Sequence, residues 1–472
     1  MGDIHRLPGC ARPRQKASGE GLSALTQNVA DLSAQARPFG RAALWLAGLG
    51  AFFYLSYGAA NWLASLRPSV PEIAFAWERQ VPFVAWTIIP YWSTNIFYAA
   101  SFFVCATREE LDRHAMRLVS AQIVAVLFFI ALPLQFSWPK EEATGFSGFL
   151  FAALGAFDKP FNQAPSLHVA LTVILWSLYR RHLPSRVLPF FNAWSLLVVV
   201  SVMTTFQHHF IDIPTGALLG LLCVWAWPET GPSPLASFAP AIDPDRRKMA
   251  ARYLSGALVV AGLAIASVYN YDINPAWLWM LWPALSLVMV GLAYGCLGPA
   301  LFQKQADGST SLCARVLLAP YRLGAFLNSR CWTIGDAPAV EVIRGISIGR
   351  FPTAADLSGG AADTVVDLTA EFTAPRFRGR WRAFPMLDLV APSCADVNRA
   401  ARAIEESRAD GPVLVCCALG YGRSVTVLAA WLVRAGLAAD ARVALERLRQ
   451  LRPRLAVSRA QIAAIEEALR EP

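Results

Sequence analysis

Eight apolar stretches occur in succession, at about 42–64, 83–105, 117–136, 166–180, 187–207, 211–228, 252–269 and 276–301. A helix needs about 20 apolar residues to cross roughly 30 Å of hydrocarbon, and most of these runs approach that length, the fourth and sixth being short. One run alone could be a buried core helix; eight in a row predict an α-helical polytopic membrane domain of about eight crossings. The 55% hydrophobic content and 16 tryptophans, above ordinary soluble usage, agree. Residues 1–40 are polar and basic, with no short apolar core and cleavage site, so they are expected to form a disordered cytosolic arm. The transmembrane domain should then occupy 41–301, a juxtamembrane linker 302–335, and a soluble domain 336–472.

Alternate loops carry the positive clusters: the arm, then Arg108, Arg113 and Arg117, then Arg180, Arg181 and Arg186, then Arg246, Arg247, Lys248 and Arg252. By the positive-inside rule these face the cytosol, and eight crossings return the chain to that side. Both termini are therefore expected to be cytosolic. Arginine-over-lysine usage suggests a GC-rich genome, hence the inner membrane of a bacterium. The net charge of +9 suits anionic-lipid surfaces, and no nucleic-acid module is evident.

The soluble end contains its own constellation. Cys417 stands six positions before Arg423, with Ala418, Leu419, Gly420, Tyr421 and Gly422 between and Ser424 after. Pro412 to Cys416 (PVLVC) reads as a strand, and Val425 to Ala435 as an apolar helix. A strand, a glycine-bearing loop and a helix N-terminus can wrap backbone N–H groups around a phosphate. An arginine adds a planar fork, and a cysteine at such a positive centre is a potential nucleophile.

This segment resembles the signature loop of cysteine-dependent dual-specificity phosphatases, a soluble α/β fold. Arg344 to Pro352, Thr364 to Glu371 and Phe384 to Pro392 resemble that family's opening strand, central strand and acid loop. The resemblance implies Cys417 as nucleophile, Arg423 as phosphoryl ligand, Ser424 as thiolate partner and Asp388 as general acid, with the loop backbone from Ala418 to Gly422 binding phosphate. Cys416 replaces the family's usual histidine; it either packs as a small buried residue or can form a disulfide with an oxidised Cys417.

Three of the six histidines fall at crossing ends, on the outer face by this topology: His168 in PSLH, and His208 and His209 in TTFQHHFIDIPTG. Asp212 follows His208 by four residues, within hydrogen-bond reach in a helical turn. A histidine oriented by a carboxylate can attack phosphorus while another protonates the leaving group. Residues 83–228 resemble the type-2 phosphatidic acid phosphatase (PAP2) superfamily, closest in motif form to the inositol-phosphoryl-ceramide and sphingomyelin synthase-like branch. The resemblance implies His208 as nucleophile, Asp212 as its orienting carboxylate and His168 as acid, and His209 beside them is a candidate substrate contact. That family's usual arginine six residues before the nucleophile is Val202 here, and no arginine occurs between Arg117 and Arg180. Lys140 and Lys159 are the candidate phosphate ligands. Fixed cations and N–H groups suffice for either chemistry, so no metal or cofactor is expected, and the substrate is expected to be a phospholipid or lipid phosphate.

Overall fold

The computed structural model describes residues 37–139, 141–269, 274–360 and 362–470, so all but the end of the basic arm expected at 1–40 lies outside the described residues. Its first half is helical: α1 (Phe39–Ser65), α2 (Ile88–Val104), α3 (Arg108–Ala131), α4 (Gly145–Gly155), α5 (Leu167–His182), α6 (Leu188–Thr204), α7 (Asp212–Ala226) and α8 (Pro244–Tyr269), with α9 (Leu281–Leu292) at the centre of a longer run. Four helices are long and apolar enough to cross a membrane: Phe39–Ser65, Arg108–Ala131, Pro244–Ser267 and Pro275–Phe302. The 27 residues of α1 extend about 40 Å, beyond a roughly 30 Å hydrocarbon core.

The other four expected crossings are helices too, but shorter. α2, α5, α6 and α7 hold 17, 16, 17 and 15 residues, or about 22–26 Å. Backbone breakers trim two of the apolar runs: Pro228 follows α7 closely, and Phe206, in the left-handed region at φ 54°, follows α6, whereas α5 covers the whole of its short run. α4 is an apolar helix inside what reads from sequence as an outer loop.

α5 and α7 pack unusually closely, because α7 offers glycines one turn apart. A Cβ on Gly216 would lie 2.3 Å from the Ser166 carbonyl oxygen, and one on Gly220 2.7 Å from that of Ala170. Small residues at this spacing let helix backbones meet in a membrane. The contact sets the start of α7 against the start of α5, and Ser166 N–H donates to the Asp212 carbonyl (3.1 Å).

The second half is an α/β domain. Strands β1 (Ala339–Ile343), β2 (Ile346–Arg350), β3 (Thr364–Thr369), β4 (Arg380–Met386) and β5 (Val413–Cys417) order as β1-β2-β5-β3-β4, parallel except for the β1–β2 hairpin. β3 and β5 are buried along their whole length, which explains the continuous apolar sequence of β5, whereas β3 buries Thr364, Asp367 and Thr369 among its apolar residues. Helices lie against the sheet, and the loop leaving the carboxyl end of β5 faces outward, where open α/β sheets place their ligands.

Residues 302–335, expected as a linker, are built into both halves. They carry α10 (Leu312–Leu317) and α11 (Ala319–Trp332). The Tyr321 N–H donates to Ser286 Oγ (3.3 Å) and Trp282 Nε1 to the Val316 carbonyl (3.0 Å), tying α10 and α11 to the last span. On the other side, the buried ammonium of Lys304 donates to the Asp367 carboxylate of β3, to the Thr369 carbonyl (2.7 Å) and to Thr369 Oγ1 (2.9 Å). Removing one member of a buried pair strands the other's charge, at a cost of about 3–5 kcal/mol. Lys304→Met should therefore lower thermal stability of the full-length protein by that order, read by unfolding in detergent. The further change Asp367→Leu should recover much of the loss; a single variant as stable as the parent would refute the clip.

Candidate active sites

In the α/β domain, β5 delivers Cys417 into a loop that ends where helix Arg423–Arg434 begins. The loop closes around the sulfur: Gly420 N–H donates to Cys417 Sγ at 3.3 Å, and Ser424 Oγ lies 3.3 Å from it. Gly420 sits at φ 79°, and a Cβ there would come within 2.2 Å of Arg452 Nη1 and 2.7 Å of the Gly349 backbone. Both the backbone angle and the space demand glycine. Ser329 of α11 donates to the Ala418 carbonyl (2.6 Å), bracing the loop from outside.

Arg423 is sealed in the centre. Its guanidinium forks onto Glu371 at 2.7 and 3.0 Å, donates to the Met386 carbonyl at 2.9 Å and lies 3.2 Å from Asp388. Among the described residues its buried Nε has no hydrogen-bond partner, and a phosphate oxygen in the cradle is the acceptor such an orphan calls for. Burial works against charge on both members of the Glu371–Arg423 pair. Their attraction overrides it, holding the Glu371 carboxyl below the usual range and the Arg423 guanidinium above. Asp388 responds the other way: burial, reinforced by the Glu371 charge, pushes its carboxyl up despite Arg423. A carboxyl that keeps its proton is what a general acid requires.

Cys416 is fully buried and belongs to an apolar cluster with Phe351, Val365 and Phe372, whereas Cys417 belongs to the cluster on the other side of the sheet. Neighbouring strand residues point to opposite faces, so the position of the expected histidine serves as packing. Burial pushes the Cys416 thiol well up. Glu371, Ser329 and Lys304 escape sequence reasoning, because each acts across 52 to 89 residues of chain. A carboxylate just past the end of β3, the strand beside β5, is the only hint there was of Glu371.

At the other end of the helical half, α5 begins with His168 and α7 with Asp212. His208 Nδ1 donates to Asp212 Oδ2 (3.2 Å), which also accepts the His209 N–H (3.0 Å). His168 stacks on Tyr91 at 3.9 Å, its Nε2 2.9 Å from Thr94 Oγ1. Both imidazoles line one cavity of about 420 Å³ with aromatic walls. His209 is turned away: its Nδ1 donates to Glu78 (3.0 Å), its Nε2 accepts from Ser137 N–H (3.1 Å), and Phe136 stacks on it. That leaves neither ring nitrogen for a substrate, contrary to the sequence expectation of a contact there. Glu78 also accepts the Phe210 N–H (3.0 Å) and so fixes the turn carrying the histidines.

Val202 is wholly buried, and its carbonyl accepts the Gln207 and His208 N–H groups (3.1 and 3.0 Å). The Val202 side chain is apolar and offers a phosphate no charge. Among the described residues no lysine or arginine lines the 420 Å³ cavity. Lys159 is exposed and lines a small adjoining space shared with His208; Lys140 lies outside the described residues.

Residues 72–226 match the PAP2 superfamily, and residues 352–437 match a DSP-PTPase phosphatase family described from polymorphic toxin systems. No curated protein matches the chain. Among solved structures it is similar to Tk-PTP in the active form (29% identity, 29% of this chain and 98% of that one, TM-score 0.26). It is also similar to human DUSP28 (23% identity, 28% and 93%, 0.26) and to PTPMT1 in complex with PI(5)P (14%, 29% and 96%, 0.27). The chain thus joins a PAP2 region carrying apolar helices to a C-terminal dual-specificity-type phosphatase domain.

The geometry fixes a pH dependence. Raised above an ordinary carboxyl, Asp388 stays protonated to higher pH, so turnover should fall only as pH climbs through that raised value. Asp388→Asn should remove this alkaline limb and lower kcat by about 10²–10⁴-fold on alkyl phosphates, with a smaller loss on aryl phosphates, whose leaving group needs less help. An unchanged pH profile in steady-state assays would count against Asp388.

Proposed function

We propose that the chain is a bifunctional membrane phosphatase with two phosphate-handling sites at opposite ends of its helical bundle. The observation that carries this reading is the Cys417 cradle, with Arg423 held by Glu371 and Asp388, its carboxyl pushed up by burial, at the mouth. In the first step a Cys417–phosphorus bond forms as the phosphorus–oxygen ester bond breaks, and the leaving oxygen takes the Asp388 proton. In the second, water gives a proton to the Asp388 carboxylate and attacks the phosphocysteine, releasing phosphate and the Cys417 thiolate. The Arg423 fork and the loop N–H groups stabilise the transferring phosphoryl group. A phosphomonoester on a phospholipid headgroup is the preferred substrate, because a module clipped to membrane spans meets such groups at high effective concentration.

At the second site, Asp212 holds His208 Nδ1, which directs Nε2 to attack a lipid phosphate. His168 then protonates the leaving oxygen, and water or an alcohol takes the phosphoryl group from the histidine. His168 opens α5, whereas Trp176, Ser177, Arg180 and Arg181 toward its other end line a cleft shared with Pro385 and Arg399 of the phosphatase domain. This supports placing the histidine site on the face away from the cytosolic domain, with both termini inside.

One observation favours a second reading. A cavity without lysine or arginine walls binds a phosphate dianion poorly, as expected if the PAP2 region is an inactive or sensory anchor for a protein phosphatase. Purified full-length protein with His208→Ala or Cys417→Ser separates the readings. Each change should abolish one phosphatase activity and spare the other. Retention of every activity by His208→Ala would favour the anchor; loss of all activity from either change alone would mean one coupled reaction.

A further inference from the structure

The mouth of the Cys417 cradle is walled by membrane helices as well as by its own domain. A pocket of about 360 Å³ runs from Asp388 and Leu419 to Tyr253 of α8, Leu287 of the last span, and Tyr321 and Gly324 of α11. Two of these walls belong to helices long and apolar enough to span a bilayer. The general-acid loop is fastened there too: Tyr294 of the last span donates to the Asp388 carbonyl (2.9 Å), and Leu387 and Val390 join the hydrophobic core of the helical half.

The free face of α11 is apolar. Leu323 (61% exposed) and Leu327 (53%) lie one turn apart, Gly324, Cys331 and Asn328 continue the exposed arc, Trp332 (62%) closes its far edge and Ile334 (73%) lies just beyond. The opposite face, through Ser329 and Phe326, packs on the phosphatase domain. Leu389 of the acid loop is 65% exposed beside the same mouth. Such a helix, facing water, would carry polar residues on this side; an apolar face of this kind is what interfacial helices bury among acyl chains. Because α11 is bonded to the last span at Ser286, the membrane crossed by that span is at hand to cover it.

We infer that α11 lies in the cytosolic membrane interface and that the substrate of Cys417 is a lipid phosphomonoester arriving sideways from the leaflet. Its headgroup enters the cradle while its chains remain along α8, the last span and α11. A water-soluble phosphate has no chains to lay along that corridor. This rests on Cys417 being the nucleophile.

The test uses full-length protein reconstituted in vesicles, with His208→Ala present throughout to silence the other site. The substrates are vesicle-embedded phosphatidylglycerol phosphate, p-nitrophenyl phosphate and a phosphotyrosine peptide. A Cβ on Gly324 meets nothing within 4 Å, so a side chain can start there toward the corridor; Gly324→Trp puts bulk into it, and Leu327→Glu charges the outer face. Both should lower kcat/KM on the vesicle lipid by about tenfold or more while p-nitrophenyl phosphate stays within about twofold. Undiminished lipid hydrolysis in both variants, or parallel loss on lipid and aryl phosphate in both, would overturn the inference, as would faster cleavage of the phosphopeptide than of the lipid by the parent. Cys417→Ser that still hydrolyses all three would instead defeat the underlying reading.

Discussion

The buried pairing of Lys304 with Asp367 is the constraint on which the arrangement of the two halves depends. It places a cation from the end of the last span inside the sheet, beneath the strand that leads to Glu371. A flexible tether would let the phosphatase domain turn freely; here its orientation is set by a charge that has no water to retreat to. The position of α11, the bracing of the signature loop by Ser329 and the attachment of the acid loop to Tyr294 all follow from that registration.

The two sites solve one problem by the same means. In each, a nitrogen-bearing group is held rigidly by a buried carboxylate. Glu371 fixes the Arg423 fork, and Asp212 fixes the His208 ring. Preorganisation of this kind means little reorientation is needed as charge develops on the phosphoryl oxygens. The sites differ in cationic support. One has a guanidinium at its centre, whereas the other is ringed by tyrosine, phenylalanine and tryptophan.

What could be read from the sequence follows from how far apart the partners lie along the chain. His208 and Asp212 are four residues apart and Cys417 and Arg423 six, so their association leaves a local pattern. Glu371 reaches Arg423 across 52 residues and Lys304 reaches Asp367 across 63, and no periodicity marks such pairs. The apolar runs located the helices well, yet they overstated the lengths of α2, α6 and α7, because hydropathy does not register the 3₁₀ turn at Ala85–Thr87, the turn at Phe206 or Pro228. His209 shows the converse error: adjacency to a reactive histidine suggested a shared task, but the non-helical turn between α6 and α7 sends the two rings apart, and His209 meets Glu78 and Ser137 instead.

The clip also determines where this protein can be divided. The sequence places the start of the soluble domain at about residue 336, and a fragment starting there would look like a complete small enzyme. It would nevertheless leave Asp367 as a lone anion within the sheet, strip the support from the Ala418 carbonyl and open one wall of the substrate channel. The smallest autonomous catalytic unit therefore begins upstream of residue 304, inside sequence that composition alone would assign to the membrane.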